Sequence, residues 1–306
     1  MTYDIIADFA CHCGEGPLFH RPTGRLYWSD IPQGRLFHYD PATDEATRFY
    51  EDRPVGGYTI QHDGKLLLFR DRGNVVTADP DTGHVIDTVI DELPDEVGTR
   101  FNDVIADPAG RVFCGTMPVG EGKPTGPRKG RLYRLDTDGS IHLLLEDIGC
   151  SNGMAFILDD ADQPVGMYYI DTPTGNVYRF DYDPDTGAIT NRTIHVHIAK
   201  DSGMGGPDGM TVDDRGHLYV ALWGGWGVAR FDPAGKLIHQ YELPARNVTS
   251  CIFAPAPGSN ATALDRLYIT SAMAHQKPES GEHAGATFRL DVEAKGRPEY
   301  DSRIGA

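Results

Sequence analysis

Short apolar runs separated by Gly-, Asp- and Pro-rich turns dominate the chain, and no stretch carries the 3.6-residue periodicity of a long amphipathic helix. One unit recurs: a Gly, an apolar strand, a turn, and a second strand ending near an aromatic residue and an Asp. It runs through 24–30 and 34–41, then 64–69 and 74–80, 110–114 and 130–136, 166–171 and 175–181, 216–220 and 227–233, and 266–270 and 286–291. The markers at 24, 64, 110, 166, 216 and 266 leave room for about four short strands per repeat, the scale of a propeller blade. The pattern predicts an all-β, six-bladed β-propeller over residues 1–306 with no linker dividing it. A large β-sandwich is the competing architecture. The spare N-terminal strand around Tyr3 to Ala7 is expected to complete the last blade, because an open ring would leave strand edges unpaired.

A second element recurs just ahead of several markers, a polar residue leading into a short apolar strand. Its copies are Gly14-Glu15-Gly16-Pro17, Arg100-Phe101-Asn102-Asp103, Ser151-Asn152-Gly153-Met154 and Gly206-Pro207-Asp208-Gly209-Met210. The first strand of a blade lines the central channel, so residues at one phase of it converge on the axis. Glu15, Asn102, Asn152 and Asp208 are therefore expected at one mouth of the channel, with the adjacent glycines making tight turns there. Two carboxylates and two amide oxygens suit a hard divalent cation such as Ca²⁺, Mg²⁺ or Mn²⁺ better than a soft-ligand zinc cage. Asn-Gly and Asp-Gly pairs also mark plain turns. Four copies at one phase favour a shared site.

Charge narrows the partners. With 28 Lys and Arg against 45 Asp and Glu, the formal charge is -17, which disfavours phosphate backbones and anionic membranes. The five cysteines, without a CxxC pair or a secretory signal, fit a reducing cytoplasm. Cys11-His12-Cys13 has no partner pair at zinc-finger spacing and reads as ordinary core or loop. His195-Val196-His197 fits an outer strand, and Trp223 and Trp226 either flank the pocket or pack between blades. Neither a GxSxG elbow nor a phosphate-binding P-loop is present.

The GEGP, RFND, SNGM and GPDGM elements, taken in order, resemble the regucalcin/gluconolactonase family, also called the senescence marker protein family. The likeness extends to Gly115-Thr116-Met117, Ala221-Leu222-Trp223-Gly224-Gly225 and Asn247-Val248-Thr249. It implies one divalent metal held by Glu15, Asn152 and Asp208, with Ca, Mn, Mg, Zn and Fe(II) as candidates. It also implies substrate contacts from Arg100 and Asn102, and from Glu121 in the unusual Gly-rich run Val119-Gly120-Glu121-Gly122-Lys123. In the last blade Met273-Ala274-His275 follows Thr270-Ser271-Ala272, whereas many relatives carry an Arg directly after that Ala, which bears on substrate preference.

The activity implied is opening of a sugar lactone to its acid, with the metal as Lewis acid and Asp208 as general base or proton shuttle. The expected partner is a small sugar lactone, with no nucleic acid or membrane, and the expected state is a monomer or weak homo-oligomer. Two other classes compete: a Ca²⁺-dependent phosphotriesterase on a similar propeller, and a non-catalytic metal-stabilised binding propeller.

Overall fold

A computed structural model describes residues 2–119, 129–274 and 278–305. The strands form six four-stranded antiparallel sheets, each a blade, and among the described residues the helical segments are two single 3-10 turns, Pro94–Glu96 and Thr172–Thr174. The fold is a six-bladed β-propeller. Both strands of the recurrent sequence unit fall in the middle of a blade, as with Arg25–Asp30 and Arg35–Asp40 in blade 1. The polar elements fall on innermost strands: Gly14–His20, Thr99–Ala106, Ser151–Leu158 and Gly206–Val212. Val55–Ile60 and Asn247–Ala254 complete the inner ring.

The apolar faces of these strands meet between blades. Trp28 and Phe37 of blade 1 pack with Ile252 and Tyr268 of blade 6, and Tyr219 of blade 5 meets Phe253 of blade 6 edge to face at 5.1 Å. This distributes the core around the ring, so each blade is held by two neighbours instead of by one central cluster.

Closure follows the expectation. The strand Tyr3–Asp8 pairs antiparallel with Ala286–Asp291, so the last blade takes its outer strand from the start of the chain. At the other end, residues 295–305 leave blade 6 and cross one face of the ring. The backbone N–H of Asp214 donates to Lys295 O at 2.7 Å, that of Ser302 to Ile60 O at 2.8 Å, and that of Gly305 to Thr137 O at 2.8 Å. This strap ties blades 5, 2 and 3 together beneath the channel.

Candidate functional site

The residues singled out by phase sit at backbone irregularities. In blade 3 the register with the second strand runs from Phe101–Thr116 to Val104–Cys114, so Asn102 and Asp103 together face one residue. Blades 4 and 5 repeat this, with Asn152 and Gly153, then Asp208 and Gly209, as the doubled positions. In blade 1 the break follows Glu15 directly. A bulge tilts the strand and turns its side chains away from strict alternation. That is how polar residues on otherwise buried strands come to face the mouth.

The glycines beside them serve two ends. Gly16 has a left-handed φ of 56°, a true turn position. Gly153 and Gly209 are needed for close approach instead, a correction to their reading as turn glycines. A Cβ on Gly209 would sit 2.2 Å from Ser250 Oγ, and one on Gly153 2.7 Å from the Met210 backbone nitrogen. Inner strands of adjacent blades thus approach too closely for any side chain there.

Glu15 and Asp208 are buried, 3% and 4% exposed. Burial, followed by the charges of Asp208 and Asp103, pushes the Glu15 carboxyl well above the usual range, and the Gly16 N–H and Arg100 pull it back in part. Burial and then Asp103 do the same to Asp208, again against Arg100. Asp103 lines the channel just below, and burial pushes its carboxyl up to about 7.

Five other buried carboxylates are compensated. Arg111 Nε meets Asp107 at 2.6 Å, Arg131 meets Glu96 at 2.8 Å, Arg230 meets Asp213 at 3.3 Å, and Arg35 pairs with Asp30. Asp171 accepts the N–H groups of Gly149 and Cys150 at 3.1 and 3.0 Å. Glu15 and Asp208, by contrast, form no ion pair, and Arg100 only partly offsets their charge. Two like charges left without a cation in a buried mouth are costly, and an added cation removes that cost.

Hydrogen bonds organise the neutral side of the mouth. An Arg100 guanidinium N–H donates to Asn102 Oδ1 at 2.5 Å and to Phe101 O at 2.8 Å. Asn102 Nδ2 donates to Asn152 Oδ1 at 2.8 Å and to Ser151 O at 2.6 Å. Asn152 Nδ2 donates to Thr172 Oγ1 at 2.7 Å. Arg100, Asn102, Asn152, Asp208 and Glu15 therefore belong to one neighbourhood, drawn from blades 1, 3, 4 and 5.

Glu121 and His275 lie outside the described residues. His195 and His197 are on Ala188–His197, the outer strand of blade 4, away from the mouth. Trp223 is half-buried and Trp226 is 41% exposed. Cys11 is core, and no cluster of three or more His, Cys, Asp and Glu suited to a metal occurs among the described residues. A ligand set completed by an Asn is outside that description. Two neighbours were missed from the sequence. Asp103 was visible in the RFND element as an acid beside Asn102, whereas nothing local marks Thr172.

The family model described as the SMP-30/gluconolactonase/LRE-like region matches residues 13–273. The chain is 43% identical to the pentonolactonase XacC of Haloferax volcanii, covering 100% of each. It is 32% identical to the regucalcin of Oryctolagus cuniculus, over 95% of this chain and 94% of that one. Among solved structures, the calcium-binding protein regucalcin from Agrobacterium tumefaciens matches with a TM-score of 0.86 at 27% identity, covering 98% of this chain and 97% of that one. With its propeller, its ordered motifs and these full-length relatives, the chain belongs to the SMP-30/gluconolactonase family.

Proposed function

We propose that the protein is a divalent-metal-dependent lactonase that opens sugar lactones to their acids. The observation that carries this is the pair of uncompensated buried carboxylates, Glu15 and Asp208, beside the oriented amide of Asn152. Full-length similarity to a pentonolactonase supports the substrate class. Glu15, Asn152 and Asp208 would hold the cation, and their all-oxygen donors fit Ca²⁺, Mn²⁺ or Mg²⁺. When bound, the cation supplies an electrophile for the ester carbonyl oxygen.

The chain's own groups supply the rest. Asp208 takes a proton from the attacking water as the C–O bond to the carbonyl carbon forms, and returns it to the ring oxygen as the ring bond breaks. Arg100 and Asn102 bind sugar hydroxyls and set the orientation of the ester. Arg100 also offsets part of the negative charge of the mouth.

The test is a panel of pentono- and hexono-lactones, butyrolactone and a chromogenic phosphotriester, assayed before and after chelation. Sugar lactones should be the preferred substrates, with at least about a 100-fold loss on chelation and recovery on adding Ca²⁺ or Mn²⁺. Preferred turnover of the phosphotriester would move the protein to that class. Bound metal with no turnover of any substrate would make it a binding propeller.

A further inference from the structure

Asn152 presents two chemically different ends, an oxygen that can ligate a cation and an NH₂ that cannot. Which end faces the mouth is decided by neighbours. On one side, Thr172 Oγ1 donates its only proton to Pro207 O at 2.7 Å, so towards Asn152 the hydroxyl can only accept. The end of Asn152 that meets Thr172 at 2.7 Å must then be the NH₂. On the other side, the Arg100 guanidinium only donates, so Asn102 offers it Oδ1 and turns Nδ2 towards Asn152 Oδ1. The chain begins at a group that can only donate and ends at a carbonyl that can only accept. Its direction is fixed at both ends.

Thr172 is itself held firmly. It opens the 3-10 turn Thr172–Thr174, its N–H donates to Cys150 O at 3.2 Å, and the preceding Asp171 caps Gly149 and Cys150. Its hydroxyl thus touches Asn152 in blade 4 and the carbonyl directly before Asp208 in blade 5. We infer that Thr172 is a positioning residue for the metal centre, holding the Asn152 amide oxygen towards the cation and tying the Asn152 and Asp208 strands together. The second lone pair of Asn152 Oδ1 stays free beside the Asn102 bond. The inference rests on the reading that Glu15, Asn152 and Asp208 bind the metal.

The experiment is equilibrium dialysis of Ca²⁺ and Mn²⁺ on the full chain, with unfolding midpoints measured in parallel. Thr172→Val keeps the shape and removes the hydroxyl, and should weaken metal binding about 10–100-fold, the usual scale for such outer partners. Thr172→Ser keeps the hydroxyl and should stay within about 3-fold of the parent. If Thr172→Val does not fold, Thr172→Ala takes its place. Unchanged affinity in the hydroxyl-free variant, or equal losses in the Val and Ser variants, would overturn the positioning role. Glu15→Gln separates the two levels. If it too leaves affinity unchanged, the metal site itself is misplaced, whereas loss in Glu15→Gln alone removes only the role of Thr172.

Discussion

The two mouths of the channel are built from the same six inner strands, yet they handle polar groups in opposite ways. At the mouth holding Glu15, Asn152 and Asp208, the buried carboxylates form no ion pair and the side-chain amides of Asn102 and Asn152 are linked by a hydrogen bond. At the other mouth the strap closes over the ring and its polar groups find partners. Thr59 Oγ1 meets Ser302 Oγ at 2.7 Å, Gln61 Nε2 donates to Ile304 O at 2.9 Å, and Gln61 Oε1 accepts from Ile304 N at 3.0 Å. Ile304 is buried against Phe69, Phe101 and Leu135. Satisfied polar groups and apolar contact hold the strap in place, and the unsatisfied ones at the other mouth fit the cation site proposed above. Glu299 is the exception. It lines the channel from the strap side, and burial pushes its carboxyl up to about 7.

The sharpest way to break this contrast is at the mouth holding Glu15 and Asp208. Asp208→Asn should lower kcat by about 10²–10⁴-fold even at saturating metal, if Asp208 is the base as well as a ligand. Glu15→Gln removes the same charge without touching the proposed base, so kcat should recover largely with added metal. Similar modest defects in both, with occupancy confirmed by metal analysis, would reduce Asp208 to a ligand.

At the mouth crossed by the strap the expected effect is on stability. Ile304→Ala should cost about 2–4 kcal/mol through the cavity it leaves, with kcat and metal affinity near the parent values. A large loss of activity at unchanged unfolding midpoint would show that the two mouths are coupled.

The pH dependence of stability distinguishes them further. Glu15 and Asp208 have folded, metal-free pKa values raised above their unfolded ones, so the folded state binds protons more tightly. The metal-free protein should therefore lose stability as pH rises above about 4 and through the raised values. Bound metal requires both groups ionised, so its stabilisation should grow over the same range. Parallel pH profiles of unfolding midpoint for chelated and Ca²⁺-loaded protein would contradict this.

The smallest effect belongs to Glu299. Its carboxyl, raised from the usual 4.5 to about 7, contributes a penalty that appears as pH rises from about 4.5 to 7 and persists above. Glu299→Gln should gain stability at pH 8 and none at pH 4, leaving metal binding intact. A stability loss at pH 8 would mean that the charged form has a partner in the channel.

Much of this is legible in the sequence. Blade number, the pairing of the repeat strands, the inner position of the four polar elements and closure by the first strand all follow from short-range pattern. Alternation and turn residues are local properties, and a repeat writes them six times. The shared phase of Glu15, Asn102, Asn152 and Asp208 also predicts one neighbourhood, because equal phase in a closed ring means equal height on the axis.

Other features were decided only by the fold. The bulges that turn Asn102, Asn152 and Asp208 into the mouth depend on the partner strand, which local pattern does not show. Which buried acids meet an arginine is likewise settled by neighbours: Glu96 finds Arg131 across 35 positions, and Glu15 finds none. The directed chain joins Asn102 to Asn152 across 50 positions, and the strap meets Gln61 across 243. Thr172 carries no local sign of its role, since a threonine ahead of a proline reads as an ordinary turn. The sequence by itself determined which residues repeat and at what height they stand. The tertiary structure decided which polar groups are satisfied, because hydrogen-bond direction and charge compensation exist only between groups that folding brings together.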